Sequence, residues 1–238
     1  PLQLTHDDAD HEQPRWTPDS SSLIYFTPNP SAGGSGAIWE LSALGGTARR
    51  IASAVSAGDV SHDGRRIAFF QLRGADVELV TISRDGAMLG EIKRFPKLYG
   101  YAMPRWSPDD RWIGYIRGWG YRFDFAIQVI ASEGGEPRDV AHGEMLRGFS
   151  WLPDSSRIVY SSSLGSTILY PLIFNLRVVE RTGGGDRQLT FGEVSYVGPD
   201  MVGESVAASR VRIQSDIWSF PVSGSPQQNT KGALRITH

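Results

Sequence analysis

Cysteine is absent from this chain, which removes disulfides, thiolate zinc sites and thiol nucleophiles from consideration. An excess of charge of one sign is lacking too. The 24 basic and 26 acidic residues leave a formal net charge of −2, so electrostatics make no case for nucleic acid or an anionic membrane as partner. No apolar run approaches the roughly 18 residues of a spanning helix, and no signal peptide is visible, so membrane insertion is not expected and an export signal would lie outside these residues. Sustained helical periodicity is missing as well. What remains is an ordinary globular composition, 40% hydrophobic and 21% charged.

What is present is a repeat. Asp19, Asp63, Asp109, Asp154 and Asp200 recur every 44 to 46 residues in similar surroundings: PRWTPDSSSLIYF, GDVSHDGRRIAFF, PRWSPDDRWIGYI, FSWLPDSSRIVY and VSYVGPDMVGESVA. The units run approximately 6–52, 53–92, 93–141, 142–190 and 191–237 within one domain, 1–238. In each, a short apolar stretch ending at the Trp16, Trp106 or Trp151 position meets a Pro-Asp turn, in which Pro fixes φ and Asp bonds its own backbone. A β-rich run follows, such as Leu23 to Thr27 or Arg157 to Ser161, then a third run such as Ile38 to Leu41. A Gly turn and a fourth run, such as Arg49 to Ala52, close the unit. Four strands per copy at this period predict an all-β propeller of about five four-stranded antiparallel blades.

Leu4-Thr5, Pro104-Arg105-Trp106-Ser107-Pro108-Asp109, Arg66-Ile67-Ala68-Phe69 and Ile38-Trp39 with Gly45-Gly46 resemble the repeat of TolB-like propellers, relatives of the WD-repeat family. The resemblance covers essentially the whole chain. It implies a propeller fold and a bacterial, periplasmic setting, and it implies little about function, because such propellers serve as binding proteins, as sensor regions and as non-catalytic halves of peptidases. His62 replaces the turn Pro, Asp110 replaces the turn Gly and the fifth copy lacks the Trp, changes expected to weaken single turns only. Leu2 to His6 and Leu234 to His238 carry the same outer-strand motif. One of the two is redundant in a closed five-bladed ring, so a fragment of a six- or seven-bladed ring is the expectation beside a self-contained one.

Candidates for chemistry read mostly as structure. An acid recurring at the same turn in every copy serves the turn, and the recurring Trp residues are expected to pack between blades. His6-Asp7-Asp8-Ala9-Asp10-His11-Glu12 is rich in metal-ligand types, yet lacks the Gly and terminal Glu of a calcium loop, and His62 and His142 stand alone. Gly33-Gly34-Ser35-Gly36-Ala37 lacks the context of a nucleophile elbow. The inner-strand positions before each turn read as Arg15, Asp59, Arg105, Ser150 and Ser195, and one Asp is too few for glycoside hydrolysis. The expectation is no catalytic residue, no metal and no cofactor.

Binding is expected where loops vary over a constant scaffold. In the third copy the loops 94–101 and 117–124 combine Tyr99, Tyr101, Trp119, Tyr121 and Phe123 with Arg117 and Arg122, the residue types of interface hot spots. These seven residues are the candidate binding site, and a protein or peptide the expected partner. The alternative is the substrate-gating propeller of a serine peptidase or other hydrolase.

Overall fold

The computed structural model describes residues 3–5, 7–29, 35–96, 100–119, 124–164, 172–212 and 216–237. Four four-stranded antiparallel sheets follow one another along the chain, each pairing its strands in sequence order. The first contains β1 (Glu12–Trp16), β2 (Ser22–Pro28), β3 (Gly36–Ser42) and β4 (Arg49–Ala54), the second β5 (Asp59–Val60), β6 (Arg66–Arg73), β7 (Asp76–Ser83) and β8 (Met88–Pro96). The third contains β9 (Gly100–Trp106), β10 (Trp112–Trp119), β11 (Asp124–Ala131) and β12 (Arg138–Gly143). The fourth contains β13 (Leu146–Trp151), β14 (Arg157–Ser162), β15 (Asn175–Glu180) and β16 (Arg187–Gln188). Consecutive sheets pack as propeller blades, β4 on β6, β5 and β6 on β9, β9 on β13 and β12 on β15.

Burial on both faces explains why the second strand of each unit is apolar almost without interruption. Successive side chains of a strand point to opposite faces. In β6, Ile67 and Phe69 join Ile24, Phe26 and Ile38 of the first blade, while Ala68 and Phe70 join Tyr101, Trp106, Ile113 and Tyr115 of the third. β6 therefore supplies two cores, as does β10, with Ile113 and Tyr115 in one and Ile116 in the next. Trp106 and Trp151 are 1% and 4% exposed, and their indole N–H groups donate to the carbonyls of Asp59 (3.2 Å) and Arg105 (3.0 Å) in the preceding blade. Trp16 is the exception to the expected packing. It is 57% exposed, because among the described residues no blade precedes the first to cover it.

The turn Asp residues behave as expected in four copies. Thr17, Ser61 and Ser107 donate their hydroxyl protons to Asp19 (2.6 Å), Asp63 (2.5 Å) and Asp109 (2.5 Å). Asp19, Asp63, Asp109 and Asp154 also accept the backbone N–H two residues on. The next position is left-handed, with φ of 56° at Ser20, 73° at Gly64, 56° at Asp110 and 55° at Ser155. Asp110 does not simply weaken its turn, because its carboxylate accepts the N–H groups of His62 (2.6 Å) and Asp63 (2.9 Å) in the preceding blade. Ser155 likewise accepts the N–H of Asp109 (3.1 Å).

The fifth copy departs from the expected blade. β17 (Ser195–Val202) and β18 (Ser205–Val211) form one two-stranded ladder, and β19 (Trp218–Ser219) and β20 (Leu234–Arg235) another, with the short helix α1 (Pro226–Lys231) between them. β17 packs on the fourth blade, but β18 is exposed along nearly its whole length. Without an apolar face to bury, nothing draws an outer pair of strands onto it. Among the described residues four complete blades are therefore formed.

Asp200 is also not a turn residue. It pairs with Ala207 inside the β17–β18 ladder, and the reversal comes later, at Gly203 with φ of 60°. The Pro-Asp dipeptide misleads because it belongs to a different recurring device, a bulge in the inner strand. Gln13, Met103, Gly148 and Gly198 have positive φ at register shifts in β1, β9, β13 and β17. Pro14, Pro104 and Pro199 follow three of them, where the missing N–H costs no ladder bond. Pro199-Asp200 is thus the counterpart of Pro14-Arg15 and Pro104-Arg105.

Candidate functional site

The inner strand of each copy aims one residue at the propeller axis, the residue preceding the Trp position, and in β1, β9, β13 and β17 it follows the bulge. The register places Arg15 opposite Ile24, Asp59 opposite Ala68, Arg105 opposite Gly114, Ser150 opposite Val159 and Asp200 opposite Ala207. Asp200, not Ser195, is therefore the fifth member, and the axis carries two carboxylates. Ser195 lies at the far end of β17, buried, accepting the N–H of Phe174 (3.1 Å).

All five ring residues line a cavity of about 460 Å³ that opens at the rim of the Pro-Asp turns. Trp16, Val60, Met201 and the prolines 14, 18, 108 and 153 supply apolar wall, and His62 stands at the mouth. The acids are engaged by the chain itself. Asp59 accepts the N–H of Trp106 (2.8 Å). Asp200 pairs with Arg15 through one oxygen, and through the other accepts the hydroxyl of Ser150 (3.1 Å) and its neighbour's N–H (3.0 Å).

Arg105 differs from its neighbours. It is 5% exposed, its Nη1 donates to the carbonyl of Pro104 (3.0 Å), and its Nε is buried without an acceptor. Desolvation pulls this guanidinium down to about 10, with Asp59 and Asp200 opposing and Arg15 reinforcing the fall. It remains a cation at neutral pH.

Of the seven residues expected to bind, Tyr101 and Arg117 are described in full, and neither lines this cavity. Tyr101 is 6% exposed and stacks on Phe95 at 4.5 Å, beside Phe70 and Tyr115, as part of the core between blades. Arg117 is largely buried and pairs with Asp124 (3.8 Å) and Asp139 (3.5 Å). Tyr99, Tyr121, Arg122, Phe123 and the side chain of Trp119 lie outside the described residues. His11 meets Asp7 at 3.2 Å and lies against Tyr25. Among the described residues no cluster of three or more potential metal ligands forms, and no helix is long and apolar enough to cross a membrane.

No family model matches the sequence, and no curated protein is significantly similar to it. Similarity appears in three dimensions. TolB from Acinetobacter baumannii superposes with a TM-score of 0.61 at 16% identity, over 82% of this chain and 47% of its own. The putative TolB from Agrobacterium tumefaciens gives 0.69 at 17%, over 90% of this chain and 76% of its own. The propeller domain of the Trilobed protease from Pyrococcus furiosus, which has an open velcro topology, gives 0.53 at 12%, over 96% of this chain and 70% of its own. This chain thus spans about half the length of the first of these TolB proteins. With the meander blades, the inter-blade Trp residues and the ring around the axis, the fold is that of a TolB-like β-propeller.

Proposed function

We propose that this chain is a non-catalytic binding propeller that holds a protein segment or peptide, as the extracytoplasmic recognition region of a larger bacterial protein. The observation that carries the reading is the axial cavity, in which Asp200 is engaged through both oxygens and Asp59 through one. Catalysis needs a free base or a nucleophile beside one. Instead Ser150 donates to Asp200, and His62, the imidazole on the described wall, faces Asp110 at 3.7 Å. A cavity with apolar walls and a few fixed polar groups suits a docked chain.

Panning on the whole chain with a random-peptide phage library that displays each peptide with a free C-terminus tests this. Enrichment is expected on the wild type and not on His62→Trp, which blocks the mouth from a half-exposed position. Equal recovery from both proteins, or none from either, overturns the reading. Pure protein is expected to turn over neither peptides nor glycosides. Turnover lost on Asp59→Asn or Asp200→Asn would sink the non-catalytic half.

A second reading, the substrate-gating propeller of a serine peptidase or other hydrolase, draws support from the likeness to a protease propeller. A hydrolase domain with Gly-x-Ser-x-Gly encoded downstream would favour it.

A further inference from the structure

We propose that Arg105 is the receptor for a single carboxylate inside the axial cavity, and that the group it receives is the free C-terminus of a bound peptide ending in an apolar residue. The inference rests on the peptide-binding reading above and adds the chemistry of recognition to it. Its basis is a mismatch. A buried cation is ordinarily paired, because leaving water without a partner is costly. Arg105 is buried, lines the cavity and, among the described residues, has no carboxylate within 4.0 Å. Of the two other acids in the ring, Asp59 commits one oxygen to Trp106, and Asp200 commits both, to Arg15, Ser150 and Met201. Nη1 is held by the Pro104 carbonyl and Nε is sealed from solvent, so a carboxylate in the cavity meets the guanidinium at Nη2, through a charge-assisted bond.

Selectivity follows from the neighbours. Arg15 and Arg105 share the cavity with Asp59 and Asp200, so the field there is modest, and a dianion such as sulfate loses hydration in proportion to the square of its charge while its attraction to Arg105 only doubles. Trp16, Val60, Met201 and the prolines would hold an apolar side chain attached to that carboxylate.

The test is calorimetric titration of the whole chain with an N-acetylated apolar tripeptide obtained by panning, supplied with a free or an amidated C-terminus. The free acid is expected to bind roughly tenfold or more tightly than the amide. Arg105→Met should erase that preference and Arg105→Lys restore part of it. Propionate should compete at high concentration, whereas sulfate should not. Equal binding of acid and amide, or a preference that survives Arg105→Met, overturns the proposal. If Arg105 serves the fold instead, Arg105→Met lowers the melting temperature of the ligand-free protein, whereas a cation waiting for a ligand predicts an unchanged or raised one. Peptides bound without carboxylate preference sink this inference alone. Stabilisation by propionate with no peptide ever recovered sinks the peptide reading and its C-terminus, leaving Arg105 a receptor for small free carboxylates.

Discussion

A left-handed backbone position ordinarily calls for glycine, yet Asp110 and Ser155 occupy two of them with φ of 56° and 55°. Their side chains account for this, since each satisfies N–H groups of the blade before it. Asp110→Ala keeps the strained backbone and removes two charge-assisted bonds, so a loss of about 1–3 kcal/mol is expected in denaturant melts. Asp110→Asn should recover part of it. An Asp110→Ala protein as stable as wild type would show that water replaces the carboxylate without cost. The turn acids also set a pH dependence. The Thr17 and Ser61 hydroxyls hold Asp19 and Asp63 below the ordinary carboxylate range. At Asp109 and Asp154 desolvation opposes the shift, and hydrogen bonds outweigh it. Native pKa values lower than unfolded ones mean that the unfolded chain takes up protons first, so stability is full above the unfolded value and falls as pH drops below about 4. Melting temperatures that stay flat from pH 6 to pH 3 would contradict this.

At the scale of the element, the same Trp plays two parts. Trp106 and Trp151 bridge blades, and Trp106→Ala or Trp151→Ala is expected to cost about 3–5 kcal/mol. Trp16→Ala should cost well under half as much, because the indole is 57% exposed. Comparable losses at Trp16 and Trp106 in urea titrations would mean that the first blade is covered in solution. The strands, the turns at Asp19, Asp63, Asp109 and Asp154 and the inter-blade role of two Trp residues were legible in the sequence, because hydrogen bonding over two residues and alternation over two are local. The ring was legible only in part. Pro199-Asp200 copies the letters of Pro18-Asp19 but the structure of Pro14-Arg15, and only the Gly198 bulge tells them apart. The signal available was the residue after the pair, Trp16, Trp106 or Met201, in place of a turn-former. The unpaired state of Arg105 was not legible, since it depends on where three blades aim their side chains.

For the whole molecule, stability is expected to be graded. β6, β7, β10 and β14 are buried on both sides, whereas β18, β19 and β20 are exposed almost throughout. Native-state hydrogen exchange should therefore find protection near the global limit in the first group and little in 205–211 and 216–237. Uniform protection across both would show that the fifth copy is part of the cooperative unit. The propeller class was fixed by period and strand count, but the failure of the last copy to form a blade was hidden. Its sequence carries strand patterns, and what β18 lacks is a buried face.

The turn contacts have one more consequence, for how near-copies avoid being mistaken for one another. Repeats this alike invite mispairing during folding, where one blade docks in another's place. The seams are not chemically alike. Between the first and second blades Arg84 reaches Asp19 and Glu40, between the second and third Asp110 reaches backbone donors, and between the third and fourth a single Ser155 hydroxyl does so. A blade docked out of order would bring a guanidinium, a carboxylate or a hydroxyl to a partner suited to another. Each joint thus carries its own address, and the order of the blades is written at their edges as well as in the chain that links them.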